Sequence, residues 1–104
     1  MRFLVTTMSR SPVPPDVALP LFEALSGWAK ENQANGKIEQ VWSFAGLQGG
    51  GGIFNVGSLE ELDAVMASFP LNPFSTVEVL PLVELEPSLD NVRKTIRAMM
   101  PPGA

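Results

Sequence analysis

The sequence predicts an α+β fold with the element order β-α-β-β-α-β and one extra helix towards the C-terminal end. Three observations predict it. Residues 37–45 alternate between two sides, as a strand does; two stretches, from Asp16 to Asn35 and from Ser58 to Phe69, carry apolar residues at helical spacing; and prolines and glycines punctuate the chain between them. At 104 residues the chain has room for one domain around one core.

The opening "RFLVTTM", Arg2 to Met8, is rich in β-branched and aromatic residues and runs into Pro12, Pro14 and Pro15, which predicts a strand and then an extended turn. Asp16 is the expected cap of a first helix whose apolar face is Leu21, Phe22, Leu25, Trp28 and Ala29, with Pro20 about one turn in and Gly36 as the stop. In "KIEQVWSFA" a strict alternation places Ile38, Gln40, Trp42 and Phe44 on one side and Glu39, Val41, Ser43 and Ala45 on the other. A short third strand is expected at Ile53–Val56. Ser58 with Glu61 has the spacing of a capping box, and Leu59, Leu62, Val65, Met66 and Phe69 form the face of a second helix that Pro70 ends. The fourth strand is expected at about Thr76 to Glu86. The tail "SLDNVRKTIRAMM" reads as a third helix, with Leu89, Val92, Ile96 and Met99 on one stripe and Asp90, Arg93, Lys94 and Arg97 opposite.

This order is the ferredoxin-like motif: a four-stranded antiparallel sheet with two helices on one face. Residues 1–86 make that domain and 87–104 a helical extension. The sheet's other face needs a cover, which a second subunit's sheet would supply, and the last helix is expected to pack on a partner chain.

The run of four glycines in "FAGLQGGGGIFNV" raises the question of a phosphate cradle. Such a cradle sits between a strand and a helix, where backbone N–H groups converge on the anion; here the glycines lie between two expected strands, with no following Gly-Lys-Ser/Thr. They read instead as a flexible β-hairpin connection, with a mobile hairpin at a pocket mouth as the alternative.

Composition narrows the chemistry. The net charge is -4 with seven Lys and Arg scattered along the chain, which argues against a nucleic-acid partner. No cysteine and no histidine are present, so thiolate catalysis, Cys-ligated and imidazole metal sites and the usual base near pH 7 are excluded. No apolar run approaches the roughly 20 residues needed to cross a bilayer, so no membrane association and a cytoplasmic location are expected.

The stretches "VWSFAG", "IFNVGSLEELDAVM", "FPLNPF" and "VEV" resemble, in order and spacing, the muconolactone isomerase-like family of the dimeric α/β-barrel superfamily. Most of the likeness lies in Trp42, Ala45 and Gly46, in Phe54 and Val56, and in Pro70 to Phe74; it covers residues 1–86. The resemblance implies a subunit that pairs through its sheet, often within larger rings, and an activity that moves a double bond in a small unsaturated lactone without metal or organic cofactor. Relatives of the fold include cofactor-free oxygenases and polyketide-tailoring cyclases. The family's histidine, arginine and other polar residues on the first two strands are replaced here by Leu4, Thr6, Glu39, Gln40 and Ser43, so its catalytic set does not carry over.

Proton transfer in this chain then falls to a carboxylate or a bound water. Glu78 is the first candidate: it interrupts the apolar "TVEVLPL", is expected on one face with Thr6 and Ser43, and apolar walls would raise its pKa. Glu39, expected on that same face, and Glu23 on the first helix are the others; paired or solvated carboxylates are the plainer reading of each. Trp28, Trp42 and Phe44 are candidate pocket walls or simply core, and Thr6, Gln40, Ser43 and Asn55 are candidate holders of a carbonyl or enolate oxygen. The function this supports is a cofactor-free isomerase or cyclase acting on a small apolar carbonyl compound, a lactone or polyketide-like intermediate. A non-catalytic ligand-binding or assembly module and a cofactor-free monooxygenase on a quinol-like substrate are the alternatives.

Overall fold

The computed structural model describes residues 1–103. Strand β1 (Arg2–Ser9) leads to helix α1 (Pro15–Ala34), strands β2 (Ile38–Ser43) and β3 (Gly49–Asn55), helix α2 (Leu59–Ala67), a single 3-10 turn (Asn72–Phe74), strand β4 (Ser75–Leu82) and helix α3 (Leu85–Met99). The four strands form one antiparallel sheet in the order β2-β3-β1-β4. The predicted β-α-β-β-α-β order and the extra helix are both present.

Cross-strand partners share a face, and burial tells which face is which. Phe3 and Val5 of β1, Phe54 of β3 and Ile38 of β2 are buried in one cluster with Leu62 and Val65 of α2, against which Trp28 of α1 packs. That is the inner face. Leu4, Thr6 and Met8, Ile53, Glu78, Leu80 and Leu82 belong to the outer face, over which this chain lays no helix. Trp28 anchors the helices to each other as well as to the sheet: its ring lies 5.2 Å from that of Phe69 and 6.2 Å from that of Phe54, and its indole N–H donates to Ser68 Oγ at 3.0 Å.

Four expectations need correction. The glycines are not a hairpin connection: Gly49 to Gly52 are the first four residues of β3, an interior strand, paired with Met8 to Val5 on one side and, from Gly50, with Ser43 to Val41 on the other. A side chain has no room there, since a Cβ on Gly52 would stand 2.6 Å from the Gln40 carbonyl oxygen and one on Gly51 2.8 Å from that of Val5. The real connection is residues 44–48, where Gly46 takes a φ of 74° that other residues rarely adopt. Second, an irregularity between Ile38 and Gln40 breaks the alternation of β2. Ile38 pairs with Phe54, Val41 with Gly52 and Ser43 with Gly50 on the inner face, while Gln40 and Trp42 turn outwards, so Ile38 and Trp42 do not share a side.

Third, Asp16 does not cap α1. The helix begins at Pro15, whose fixed φ suits a first helical position, and Asp16 lies inside the first turn, where a carboxylate favours the helix dipole. Fourth, β4 ends at Leu82, so Leu85 and Glu86, expected in the strand, already belong to α3; Pro87 fits there because first-turn N–H groups have no intrahelical partner. The α2 cap is as expected, with the Glu61 N–H donating to Ser58 Oγ at 3.1 Å, although the Glu61 carboxylate accepts from Gly57 rather than from Ser58. No residue of α3 is buried, and the helix projects from the body: the extents are 70 × 28 × 22 Å and the radius of gyration 18.6 Å, against about 13 Å for a compact chain of this length.

Candidate functional site

Between the inner face and the helices lies a cavity of about 630 Å³. It exists because β3 brings no side chains to the middle of the sheet. Gly50 and Gly52 give a floor of bare peptide, with Thr7 and Ser43 on the two strands flanking Gly50 and Val5 and Val41 on those flanking Gly52. From α1, Phe22, Leu25, Trp28 and Ala29 line it; Met66 and Phe69 come from α2 and the residues after it, and Leu71 and Phe74 from the 3-10 turn and its cap. The polar groups of the lining are neutral: Thr7, Ser9, Ser26, Ser43, Gln48 and Ser75. Among the described residues that line it there is no Asp, Glu, Lys or Arg.

The Thr7 and Ser43 hydroxyls flank the glycine floor. Each lies 3.4 Å from a carbonyl oxygen of the glycine strand, Gly50 for Thr7 and Gly49 for Ser43. Such contacts are long for O–H···O bonds, so both hydroxyls keep their capacity to donate to a ligand.

The expected site residues divide between the two sides of the sheet. Ser43 and Trp28 line the cavity; Trp42 borders it through the strand, but its indole lies over Gly51 on the outer face, where a Cβ on that glycine would come within 3.2 Å of the indole nitrogen. Phe44 is half-buried at the start of the hairpin and does not line the cavity. Thr6, opposite Glu78, and Gln40, opposite Ile53, are on the outer face. Glu78 therefore shares its face with Thr6 but not with Ser43, and it is exposed rather than walled in by apolar groups. Glu23 is exposed on α1.

Glu39 is an ion-pair partner. Arg2 Nε donates to its two carboxylate oxygens at 2.9 and 3.2 Å, and Asn55 Nδ2 donates to Oε1 at 2.9 Å. The hydrogen bond from Arg2 holds the Glu39 carboxyl below the usual carboxylate range, against an opposing effect of desolvation and with help from Asn55. Its pKa moves away from neutrality, the opposite of what a general base needs. Asn55 is committed to the same cluster, and Arg2 also pairs with Glu84 at 3.1 Å. Sequence reasoning missed Thr7, Phe22 and the glycine floor as site elements. Thr7 was within reach, because Phe3, Val5 and Thr7 alternate and the first two are plainly core.

A model of the family described as muconolactone delta-isomerase matches residues 1–87. The chain belongs to the muconolactone delta-isomerase family. The muconolactone delta-isomerase of Acinetobacter baylyi is 31% identical over 70 residues, covering 67% of this chain and 73% of that one; the enzyme of Rhodococcus opacus is 32% identical over 57 residues, covering 55% of this chain. The matched stretch spans 61% of the Rhodococcus protein's own length. A crystal structure of muconolactone isomerase superposes with a TM-score of 0.76 at 28% identity, covering 83% of this chain and 92% of the other. The family match stops at residue 87, so nearly all of α3 lies beyond it. Among the described residues no helix is long and apolar enough to cross a membrane, and no group of three or more carboxylates is placed to hold a metal ion.

Proposed function

We propose that this member of the muconolactone delta-isomerase family is an isomerase or cyclase that shifts a proton or double bond in an apolar carbonyl compound held in the cavity. The observation that carries the reading is the pair of under-used hydroxyls, Thr7 and Ser43, on either side of the bare floor at Gly50. Taking a proton from carbon beside a carbonyl places negative charge on the carbonyl oxygen, and donors held in place by the sheet against apolar walls stabilise that charge without having to reorganise. Apolar walls from α1 and α2 hold the carbon skeleton; the hydroxyls hold the oxygen. Because no carboxylate lines the cavity, in this reading the C–H proton passes to a bound water as the C–H electron pair moves into the enolate. The water returns it to another carbon of the same substrate, so that the double bond moves with no net loss of a proton.

Thr7→Val keeps the shape and removes the donor. It is expected to lower kcat about 100-fold with the melting temperature little changed, whereas Glu78→Gln, across the sheet, leaves turnover intact. Loss of turnover in Glu78→Gln with full activity in Thr7→Val would move the chemistry to the outer face and overturn this reading. Ligand binding without turnover of any carbonyl substrate would favour the second reading, a binding module, which the uncharged lining also supports.

The same proposal includes a homo-oligomer. Leu80 is 56% exposed on the outer face, where Leu4, Ile53 and Leu82 add to one apolar surface that a second copy would cover.

A further inference from the structure

We infer that the ligand of this cavity is an uncharged, flat molecule of two or three fused rings bearing a carbonyl, rather than a small or acidic lactone. The inference rests on the cavity being the substrate site and adds the ligand's charge, size and shape. Charge comes first. No side chain of the lining is ionised, so a carboxylate placed there would give up its hydration with no counter-ion in return. An enzyme built around an acidic substrate presents Arg or Lys to it, and the two cations of the first strand and its turn are engaged elsewhere: Arg2 pairs with Glu39 and Glu84, and Arg10 donates to the Pro73 carbonyl.

Size follows from the volume. A cavity of about 630 Å³ lies in the middle of the range that holds molecules of drug size, and a single five-membered ring would leave most of its apolar lining without contacts. Shape follows from β3. At Gly50 and Gly52 the floor drops by the depth of a side chain, while Val5 and Thr7 on β1 and Val41 and Ser43 on β2 stand up along both sides. The result is a slot two inter-strand spacings wide, about 9.5 Å between the flanking backbones, closed at one end by Phe54. Peptide planes below and the aromatic side chains of α1 above offer two broad faces to a planar ring system, and the Thr7 and Ser43 hydroxyls at the slot's edges meet an in-plane carbonyl.

Three probes test this by calorimetric titration of the full chain: xanthone, its ring-carboxylate analogue and γ-butyrolactone. Xanthone is expected to bind at least about tenfold more tightly than the carboxylate and about 100-fold more tightly than the lactone. Equal or tighter binding of the carboxylate, or of the lactone, overturns the inference. Ser43→Arg places a cation at the slot and is expected to reverse the preference between xanthone and its carboxylate; no reversal also overturns it. Ala29→Phe fills the cavity and is expected to abolish xanthone binding; if a thermal melt finds that variant unfolded, Ala18→Phe carries the same expectation, and undiminished binding in the folded variant places the ligand elsewhere. Isomerase turnover without xanthone binding would sink this inference and leave the isomerase reading standing, and xanthone binding without any turnover would do the reverse.

Discussion

At the scale of single residues, the two sides of the sheet have different electrostatic tasks. Glu39 sits in a hydrogen-bonded cluster with Arg2 and Asn55 that lowers its pKa when the chain folds. A carboxyl whose folded pKa is depressed contributes stability that is whole above its unfolded pKa and is lost as pH falls through the folded value. Glu39→Gln is therefore expected to melt at a lower temperature than the wild type at pH 7, with the gap closing as the pH is lowered through the depressed Glu39 pKa; a gap of the same size at neutral pH and in strong acid would show that the charge is irrelevant. Thr7 and Ser43, by contrast, carry no charge, and under the proposed function substituting them is expected to change catalysis rather than acid stability. The same contrast explains why the carboxylate candidates were hard to rank from sequence. Glu39 and Glu78 interrupt strands in the same way, but only the register discloses that one is bonded to Arg2 and the other faces away from the cavity.

Among the elements, β3 is where sequence and structure part most instructively. The amphipathic faces of α1 and α2, the Ser58 cap and the strand at residues 2–8 were legible, because side-chain periodicity and caps report directly on local structure. Four glycines have no side chains from which to read a period, so nothing local separates a loop from an interior strand; only pairing on both sides decides it. The phase switch in β2 is hidden for a related reason, since one inserted residue leaves each local window still alternating. Gly52→Ala tests the strand's demand for glycine. Its Cβ would press on the Gln40 carbonyl, so a loss of about 1–3 kcal/mol is expected in denaturant unfolding. A variant as stable as the parent would mean that the neighbouring strands relax freely.

For the whole molecule, two apolar surfaces are left over: the outer sheet face and the α3 stripe, where Val92, Ile96 and Met99 are each more than half exposed. Sedimentation at micromolar concentration is expected to find the chain as an oligomer, with Leu80→Glu shifting it to a monomer that remains folded by circular dichroism; a monomeric parent would show that the sheet face tolerates water. The glycine strand has a consequence at this scale too. Ordinary interior strands supply both ladder bonds and packed side chains along their whole length, but the first four residues of this one supply the ladder alone, so a guest lying on them would make the contacts that protein atoms make elsewhere. Heat resistance in this protein should climb with guest concentration, and a plain melting curve becomes a means of finding which compounds nature intended it to meet.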